Sequence, residues 1–354
     1  MLESPFVFIL CQPGAEAALK RELAQKQPTW SPAYQRPGLV TLRTRSAQPP
    51  ELALESVFAR QYGISLGPAA DIEAALARLR GLPAPVCLQV VERAPADPDA
   101  AALGERAHHL REALRQRAAK QLTPSDVARA GELVLTVVVG EGDPLLLGLH
   151  RQRQGRSPYP GARSVMALPE AAPSRAYLKI EQAIEHFALP MRAGDTVVEL
   201  GAAPGGAAYA LVQRGIRVFA VDPAAMDPTV LAKAGPSGAC VTHLQLAMRD
   251  LQRSALPGRI DWLLMDVHLA PQIALRAARR LASELRSTLC GAVLTLKLND
   301  WSFADRIDDF VAQTLPMGLL DARAKQLPSH RQEVAIVGLT KLGLARRARA
   351  ATRV

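Results

Sequence analysis

TVVELGAAPGGAAYAL, residues 196–211, joins an apolar run to a helix-forming segment through Gly201, Gly205 and Gly206. Glycine lets a backbone turn tightly and approach a ligand closely, and the first turn of a helix has free N–H groups. The pattern therefore predicts a buried strand, a ligand-binding turn and a helix. A tight turn that binds nothing is the alternative interpretation.

The spacing of the turn, G-A-A-P-G-G, differs from the dinucleotide fingerprint G-x-G-x-x-G. Pro204 removes one backbone N–H, which suits a ligand without a pyrophosphate. Asp222 ends the next apolar run, 21 residues after Gly201, where an acidic side chain can accept hydrogen bonds from two ribose hydroxyls. S-adenosylmethionine, an adenosine joined to an amino acid, meets both conditions, and the spacing disfavours a nicotinamide-dependent dehydrogenase.

Helical and strand patterns alternate from residue 174 onward. Such alternation predicts a mostly parallel sheet with helices on both faces, a Rossmann-like α/β domain. The predicted strands are 196–200, 218–221, 262–265, 292–298 and 334–339, and the predicted helices are 177–187, 206–214, 270–289 and 303–315. The basic tail, residues 341–354, is predicted to fray.

Four charged residues lie at predicted strand ends or in the helix before the glycine turn: Lys179, Asp266, Lys297 and Glu333. Side chains at the carboxyl ends of parallel strands point into the crevice where ligands bind. Lysine is rarely buried without a partner. A salt bridge at the sheet edge would explain Lys297 alone, but the set of four favours a catalytic cluster.

Two amines and two acids suit the transfer of a methyl group to a ribose 2'-hydroxyl. The hydroxyl must lose its proton as it attacks, and a lysine accepts a proton only when its pKa falls from about 10.4. We expect Lys297 to be the base, with Lys179 lowering its pKa and orienting the ribose. Asp266 would align the methyl donor and Lys297, and Glu333 would hold a lysine.

The first half of the chain has a different pattern. Strands at 6–11 and 38–43 and helices at 15–26 and 51–62 are predicted to form a small α+β unit. A strand at 86–94, a basic helix at 101–120 and a strand at 132–139 follow, and residues 150–173 have the composition of a basic linker. The arginines of the basic helix are consistent with RNA contact or with a solvated face.

Composition narrows the class of protein. The formal net charge of +10 favours a polyanionic partner, because lysine and arginine release counterions from phosphates. No apolar stretch reaches the roughly 20 residues that a membrane helix needs, and the N-terminus lacks the features of a signal peptide, so we expect a cytoplasmic protein. The cysteines and seven histidines form no metal-ligand spacing, so we expect no metal and four buried, reduced thiols, Cys11, Cys87, Cys240 and Cys290.

Five segments taken together resemble the heat-shock-type ribose methyltransferases of RNA, whose signature is a Lys-Asp-Lys-Glu tetrad: PSRAYLKIEQA, LGAAPGG, MDVHLAP, VLTLKLN and HRQEVAIV. QPGAEAALKREL, SVFARQ and GRSPYPGARSVMALPEAAPSR are similar to the bacterial large-subunit rRNA cytidine 2'-O-ribose methyltransferases that carry a THUMP domain. The resemblance spans nearly the whole chain.

The resemblance implies a cytidine of large-subunit (23S) rRNA near the peptidyl-transferase centre as substrate, methylated before the subunit is assembled. It implies a ferredoxin-like domain at 1–80, a THUMP-like RNA-binding domain at 81–150, a linker at 151–173 and a Rossmann-like methyltransferase domain at 174–354. A monomer that binds rRNA is expected. A non-catalytic RNA-binding ribosome-assembly factor on the same scaffold is the alternative.

The resemblance also places S-adenosylmethionine, and its product S-adenosylhomocysteine, in a pocket formed by Gly201, Ala203, Pro204, Gly205, Gly206, Asp222, Asp250 and Asp266, with Asp250 against the adenine. Two residues of this chain depart from the family pattern. Ala207 stands where the family has tryptophan, and Ala176 stands where it has serine. The family's run of lysines after LTLKLND is also missing.

Overall fold

The computed structural model describes residues 2–95, 103–163 and 165–351. Contacts divide the chain into two compact units, Met1–Val165 and Met166–Val354. The boundary lies inside the segment predicted as a linker. In the described part of the chain, no helix is both long and apolar enough to cross a membrane.

The first unit is built on one seven-stranded sheet in the order β2-β3-β1-β4-β7-β6-β5. Its strands are β1 (Ser4–Leu10), β2 (Ser31–Arg36), β3 (Leu39–Gln48), β4 (Gln61–Ala69), β5 (Val86–Glu92), β6 (Leu133–Val139) and β7 (Leu145–Arg151). Its helices are α1 (Glu16–Lys26), α2 (Ile72–Arg80) and α3 (Glu105–Arg117). Because β4 pairs with β7, the strands of residues 1–80 and 81–150 belong to the same sheet. The division into ferredoxin-like and THUMP-like domains stays a prediction.

The helix predicted at 51–62 is wrong. The backbone there is irregular until β4 begins at Gln61. Leu52 and Leu54 are buried, as an amphipathic pattern requires. However, the Glu22 carboxylate of α1 accepts hydrogen bonds from the Ser56 hydroxyl (2.5 Å) and the Val57 N–H (2.7 Å). This contact with α1 gives the Ser56 hydroxyl and the Val57 N–H a hydrogen-bond partner without a helix.

Helix α2 was not predicted from the sequence. Asp71 caps this helix by accepting a hydrogen bond from the Ala74 N–H at 2.9 Å. An aspartate before the periodic run IEAALARLR is a standard start signal, so the pattern could have predicted the helix. Strands β2, β4 and β7 were missed as well.

The arginines of the basic helix α3 have partners within the first unit. Arg111 lies 3.6 Å from Asp126, Arg117 is paired with Glu73, and Arg115 donates to the Pro124 carbonyl at 3.0 Å. These contacts favour a structural role for the arginines of α3 over contact with RNA. Residues 101 and 102 of the predicted helix lie outside the described residues.

The second unit has a seven-stranded sheet in the order β10-β9-β8-β11-β12-β14-β13. Its strands are β8 (Thr196–Leu200), β9 (Arg217–Val221), β10 (Val241–Leu244), β11 (Trp262–Asp266), β12 (Gly291–Lys297), β13 (Arg323–Lys325) and β14 (Glu333–Leu339). Its helices are α4 (Ala176–His186), α5 (Gly206–Gln213), α6 (Pro228–Leu231), α7 (Pro271–Leu285), α8 (Ile307–Ala312) and α9 (Lys341–Ala351).

The pairing of these strands explains their composition. β10, β9, β8, β11 and β12 are parallel, whereas β14 runs antiparallel to β12 and β13. Every residue of β8 and β12 is buried, as expected for strands covered by helices on both faces. The predicted mostly parallel α/β sheet is therefore confirmed. The helix predicted at 303–315 is a 3-10 segment, Trp301–Arg306, followed by the short α8.

The prediction of four buried thiols is wrong at one position. Cys11, Cys87 and Cys290 are buried, but Cys240 is exposed. Cys240 comes directly before β10, the strand at the edge of the sheet, where fewer neighbours cover it.

The prediction of a frayed tail is also wrong, because α9 continues to Ala351. Arg346 of this helix is buried and reaches two buried carboxylates, Asp195 at 2.6 Å and Asp261 at 3.1 Å. Asp195 also accepts a hydrogen bond from the indole N–H of Trp262 at 2.9 Å. A buried ionic network anchors the helix where the sequence showed only a basic run. Arg353, which also contributed to that run, lies outside the described residues.

We expect Arg346→Met to lower the free energy of unfolding of the second unit by about 3 kcal/mol, because it removes the buried guanidinium that bridges the buried carboxylates of Asp195 and Asp261. Urea unfolding followed by the fluorescence of the buried Trp262 measures the change. Arg347→Met is the matched control: Arg347 pairs with Asp321 at 2.7 Å but its side chain is 35% exposed, so the expected loss is below about 1 kcal/mol. Equal losses in the two variants would contradict the anchoring role.

Candidate active site

Three strands and one helix bring the four charged residues to the same edge of the second sheet. Asp266 and Lys297 are the last residues of the neighbouring parallel strands β11 and β12. Glu333 is the first residue of β14, and because this strand is antiparallel to β12, it lies opposite Lys297. Lys179 comes from the N-terminal part of α4. The four residues are far apart in the chain and meet only through this topology.

The four side chains form a closed ring of alternating charge. The Lys179 ammonium lies 2.9 Å from Asp266 Oδ2 and 2.7 Å from Glu333 Oε1. The Lys297 ammonium lies 2.8 Å from Asp266 Oδ1 and also contacts Glu333 Oε2. The four side chains are between 9% and 21% exposed. Their formal charges sum to zero, so the cost of burying each charge is offset by two neighbours of opposite sign.

The ring changes the pKa values of Asp266 and Lys297. Burial acts to raise the pKa of Asp266, but the charges of Lys179 and Lys297 hold that pKa below its usual value. Burial lowers the pKa of Lys297, but the charges and hydrogen bonds of Asp266 and Glu333 outweigh burial and raise it. The lowered pKa predicted for Lys297 is therefore wrong for the ring as it stands. In this state Lys297 is an ammonium group.

The glycine turn fits tightly against its surroundings. Gly201 follows β8 with a φ of +79°, and a Cβ atom there would lie 2.4 Å from the Asp266 carbonyl oxygen. A Cβ on Gly206, the first residue of α5, would lie 2.3 Å from the Ser174 hydroxyl. Only glycine allows the turn to approach both β11 and the segment before α4 so closely.

A cavity of about 590 Å³ lies between the turn and the charge ring. The ring residues line it together with Gly201, Ala203 and Pro204, so these predicted site residues share one space. Its volume lies in the range of small-molecule sites. Residues next to the predicted ones in the chain also line it and were missed: Ser174, Arg175, Ala176, Ala202, His268, Leu298, Asn299, Arg331 and Gln332. Each of them lies inside one of the five segments that carry the family resemblance, and this was the only signal in the sequence.

Four predicted cofactor residues lie outside the lining of this cavity. Gly205 and Gly206 do not line the cavity but belong to the turn. Asp222 supports it, because the carboxylate accepts hydrogen bonds from the N–H groups of Ala203 at 3.1 Å and Ala224 at 2.8 Å. The Asp250 side chain is 61% exposed and pairs with Arg249 at 3.6 Å. Asp250 is not among the residues that line the cavity, and its contact with the adenine stays a prediction.

Comparisons with known proteins agree with this arrangement. Residues 172–302 match the family model of FtsJ-like methyltransferases. The segment contains Lys179, Asp266 and Lys297, whereas Glu333 lies beyond it. The α/β methyltransferase fold is thereby confirmed, and S-adenosylmethionine is the cofactor. The turn, which only glycine fits, and the adjoining cavity are consistent with this ligand. No group of His, Cys, Asp or Glu residues suited to a metal ion occurs in the described ranges.

A curated relative is the ribosomal RNA large subunit methyltransferase M of Alkalilimnicola ehrlichii, 31% identical over 239 residues. The match covers 65% of this chain and 61% of the relative's length. Similar solved structures include TrmN from Thermus thermophilus (15% identity, TM-score 0.39, covering 94% of this chain and 99% of that one). Another is the magnesium protoporphyrin IX methyltransferase of Synechocystis (17% identity, TM-score 0.35, covering 47% and 82%).

We expect Gly201→Ala to weaken binding of S-adenosylhomocysteine at least tenfold, because a Cβ at this φ is strained and would displace the Asp266 backbone. Isothermal titration calorimetry measures the affinity. Gly258→Ala is the matched control, since a Cβ there meets nothing within 4 Å and its φ is not positive. An affinity of the Gly201 variant equal to that of the control variant would contradict the placement of the donor at this turn.

Proposed function

We propose that this chain catalyses the S-adenosylmethionine-dependent methylation of the 2'-hydroxyl of a cytidine in large-subunit (23S) rRNA, before the subunit is assembled. The observation that carries the proposal is the closed Lys-Asp-Lys-Glu ring beside a glycine turn in one cavity. The name of the curated relative supports rRNA of the large subunit as the substrate. The cytidine and the timing rest on the sequence resemblance.

The ring supplies what the reaction requires of the protein. Bound S-adenosylmethionine supplies an electrophilic methyl group, and the ribose oxygen must lose a proton as it attacks. Lys297 is the proposed base. Its pKa is raised by two carboxylates, so the Lys297 ammonium must first release one proton to solvent before it can accept the proton of the ribose hydroxyl, and a further positive charge in the cavity would favour that release.

The other ring members are proposed to orient the reactants. Lys179 lines the cavity and can donate a hydrogen bond to the ribose, while Asp266 and Glu333 hold both amines in place. Correct placement of a nucleophile contributes much of the rate in such reactions. Arg175 and Arg331 line the cavity, and their positive charge is proposed to attract the phosphates of the RNA backbone. The first unit is proposed to dock the RNA through ferredoxin-like and THUMP-like domains, with the protein acting as a monomer in the cytoplasm.

We expect Lys297→Ala to lower the rate of methyl transfer to deproteinised large-subunit rRNA by about 10² to 10⁴, the usual contribution of a general base. Mass-spectrometric mapping of 2'-O-methylcytidine measures the product, and assembled subunits serve as a second substrate to test the timing. Lys341→Ala is the matched control, because Lys341 is an exposed lysine of the same unit.

Activity of the Lys297 variant equal to the control would remove Lys297 as the base. Wild-type protein that binds rRNA but transfers no methyl group would instead support the alternative of a non-catalytic assembly factor. Methylation of assembled subunits alone would contradict the proposed timing.

A further inference from the structure

A second, smaller cavity adjoins the charge ring, between the sheet and helices α4 and α5. Its volume is about 20 Å³. A cavity needs roughly 10–15 Å³ to hold one water molecule, so this one has room for a single water. Lys179 and Asp266 of the ring form part of its wall, and Glu199 of β8 and His330 also line it.

Glu199 and His330 are buried polar residues that the proposed mechanism does not use. Their exposed fractions are 3% and 1%. Glu199 Oε2 and His330 Nε2 have no hydrogen-bond partner among the described residues. Asp266 Oδ1 has the Lys297 ammonium as a partner at 2.8 Å, and a carboxylate oxygen can accept a second hydrogen bond. A buried polar atom without a hydrogen bond costs free energy, so Glu199 and His330, which line one cavity, call for a shared partner.

The hydrogen-bonding roles of the two residues can be assigned. The Leu327 N–H donates to His330 Nδ1 at 3.2 Å, so a neutral ring carries its proton on Nε2. Burial lowers the pKa of His330 to about 4, which keeps the ring neutral near pH 7. Burial, together with the charges of Asp266 and Asp222, raises the pKa of Glu199 well above its usual value. His330 Nε2–H is therefore a donor, and the raised pKa favours the neutral acid form of Glu199.

We propose that this cavity binds one ordered water molecule, which accepts a hydrogen bond from His330 Nε2–H, donates one to Asp266 Oδ1 and has the Glu199 acid as a further partner. The water satisfies all three residues at once and holds Asp266 in the orientation that the ring needs. Glu199 and His330 are thus positioning residues that act through Asp266. The effect on catalysis rests on the proposed methyl transfer, but the water site does not.

The space for the water depends on two small side chains. Ala176 of α4 and Ala207 of α5 both line the cavity. These are the two positions where this sequence departs from the family pattern of serine and tryptophan. Because both side chains form the cavity wall, a larger residue at either position would occupy part of the space.

A crystal structure of the wild-type protein at a resolution that defines ordered water tests the site without any activity measurement. We expect a density peak within hydrogen-bond distance of His330 Nε2 and Asp266 Oδ1. A cavity without a peak, or a direct hydrogen bond between Glu199 and His330, would overturn the proposal. This outcome is separate from the proposed function, which fails if wild-type protein does not methylate rRNA.

The kinetic test compares two substitutions of Glu199. Glu199→Gln keeps a neutral hydrogen-bonding group and is expected to keep kcat, whereas Glu199→Leu removes it and is expected to lower kcat about tenfold with unchanged KM for donor and RNA. An equal loss in both variants would mean that an ionised carboxylate is needed and would overturn the assignment.

Ala207→Val is a second variant in case the leucine protein does not fold. It narrows the cavity without touching a polar group. We expect it to lower kcat about as much as Glu199→Leu does and to remove the water peak. Unchanged kcat in a protein that has lost the peak would overturn the positioning role.

Discussion

The charge ring is the constraint on which the rest of the second unit depends. Two ammonium groups and two carboxylates are mostly buried at the edge of an apolar sheet, where each alone would be costly. They are tolerated because every charge contacts two opposite charges at hydrogen-bond distance. The antiparallel strand β14 is essential to this arrangement, since it begins at the edge where β11 and β12 end and so supplies Glu333.

Two different features adjoin the ring: the glycine turn at the large cavity, and buried polar residues at the small one. The glycine turn forms one wall of the large cavity and approaches the Asp266 backbone so closely that no side chain fits. Asp222, expected to bind ribose, accepts a hydrogen bond from the Ala203 N–H of the turn and another from the nearby Ala224 N–H. On the other side, neutral Glu199 and His330 adjoin the ring in a cavity of about 20 Å³. A preorganised site requires a rigid binding turn and buried residues that hold the reactive side chains in place.

The two units differ in how far local patterns predicted them. In the second unit, apolar runs bounded by glycine or charge predicted β8, β11 and β12 to within one residue. In the first unit, the helix predicted at 51–62 does not form, because the Glu22 carboxylate of α1 accepts hydrogen bonds from the Ser56 hydroxyl and the Val57 N–H. In the tail, the basic run of α9 was predicted to fray, yet Arg346 is buried between two carboxylates. In both cases the deciding partner lies far away in the chain.

The sequence by itself determined the α/β class of the second unit, the glycine turn and the identity of the four ring residues, because strand periodicity, glycine spacing and isolated charges at strand ends are local features. Only the tertiary structure decided that each lysine contacts both carboxylates, that the pKa of Lys297 is raised instead of lowered, and that Asp250 does not line the large cavity. These properties depend on distances of a few ångströms between residues of different elements, because electrostatic interactions in a buried site vary steeply with separation and surroundings.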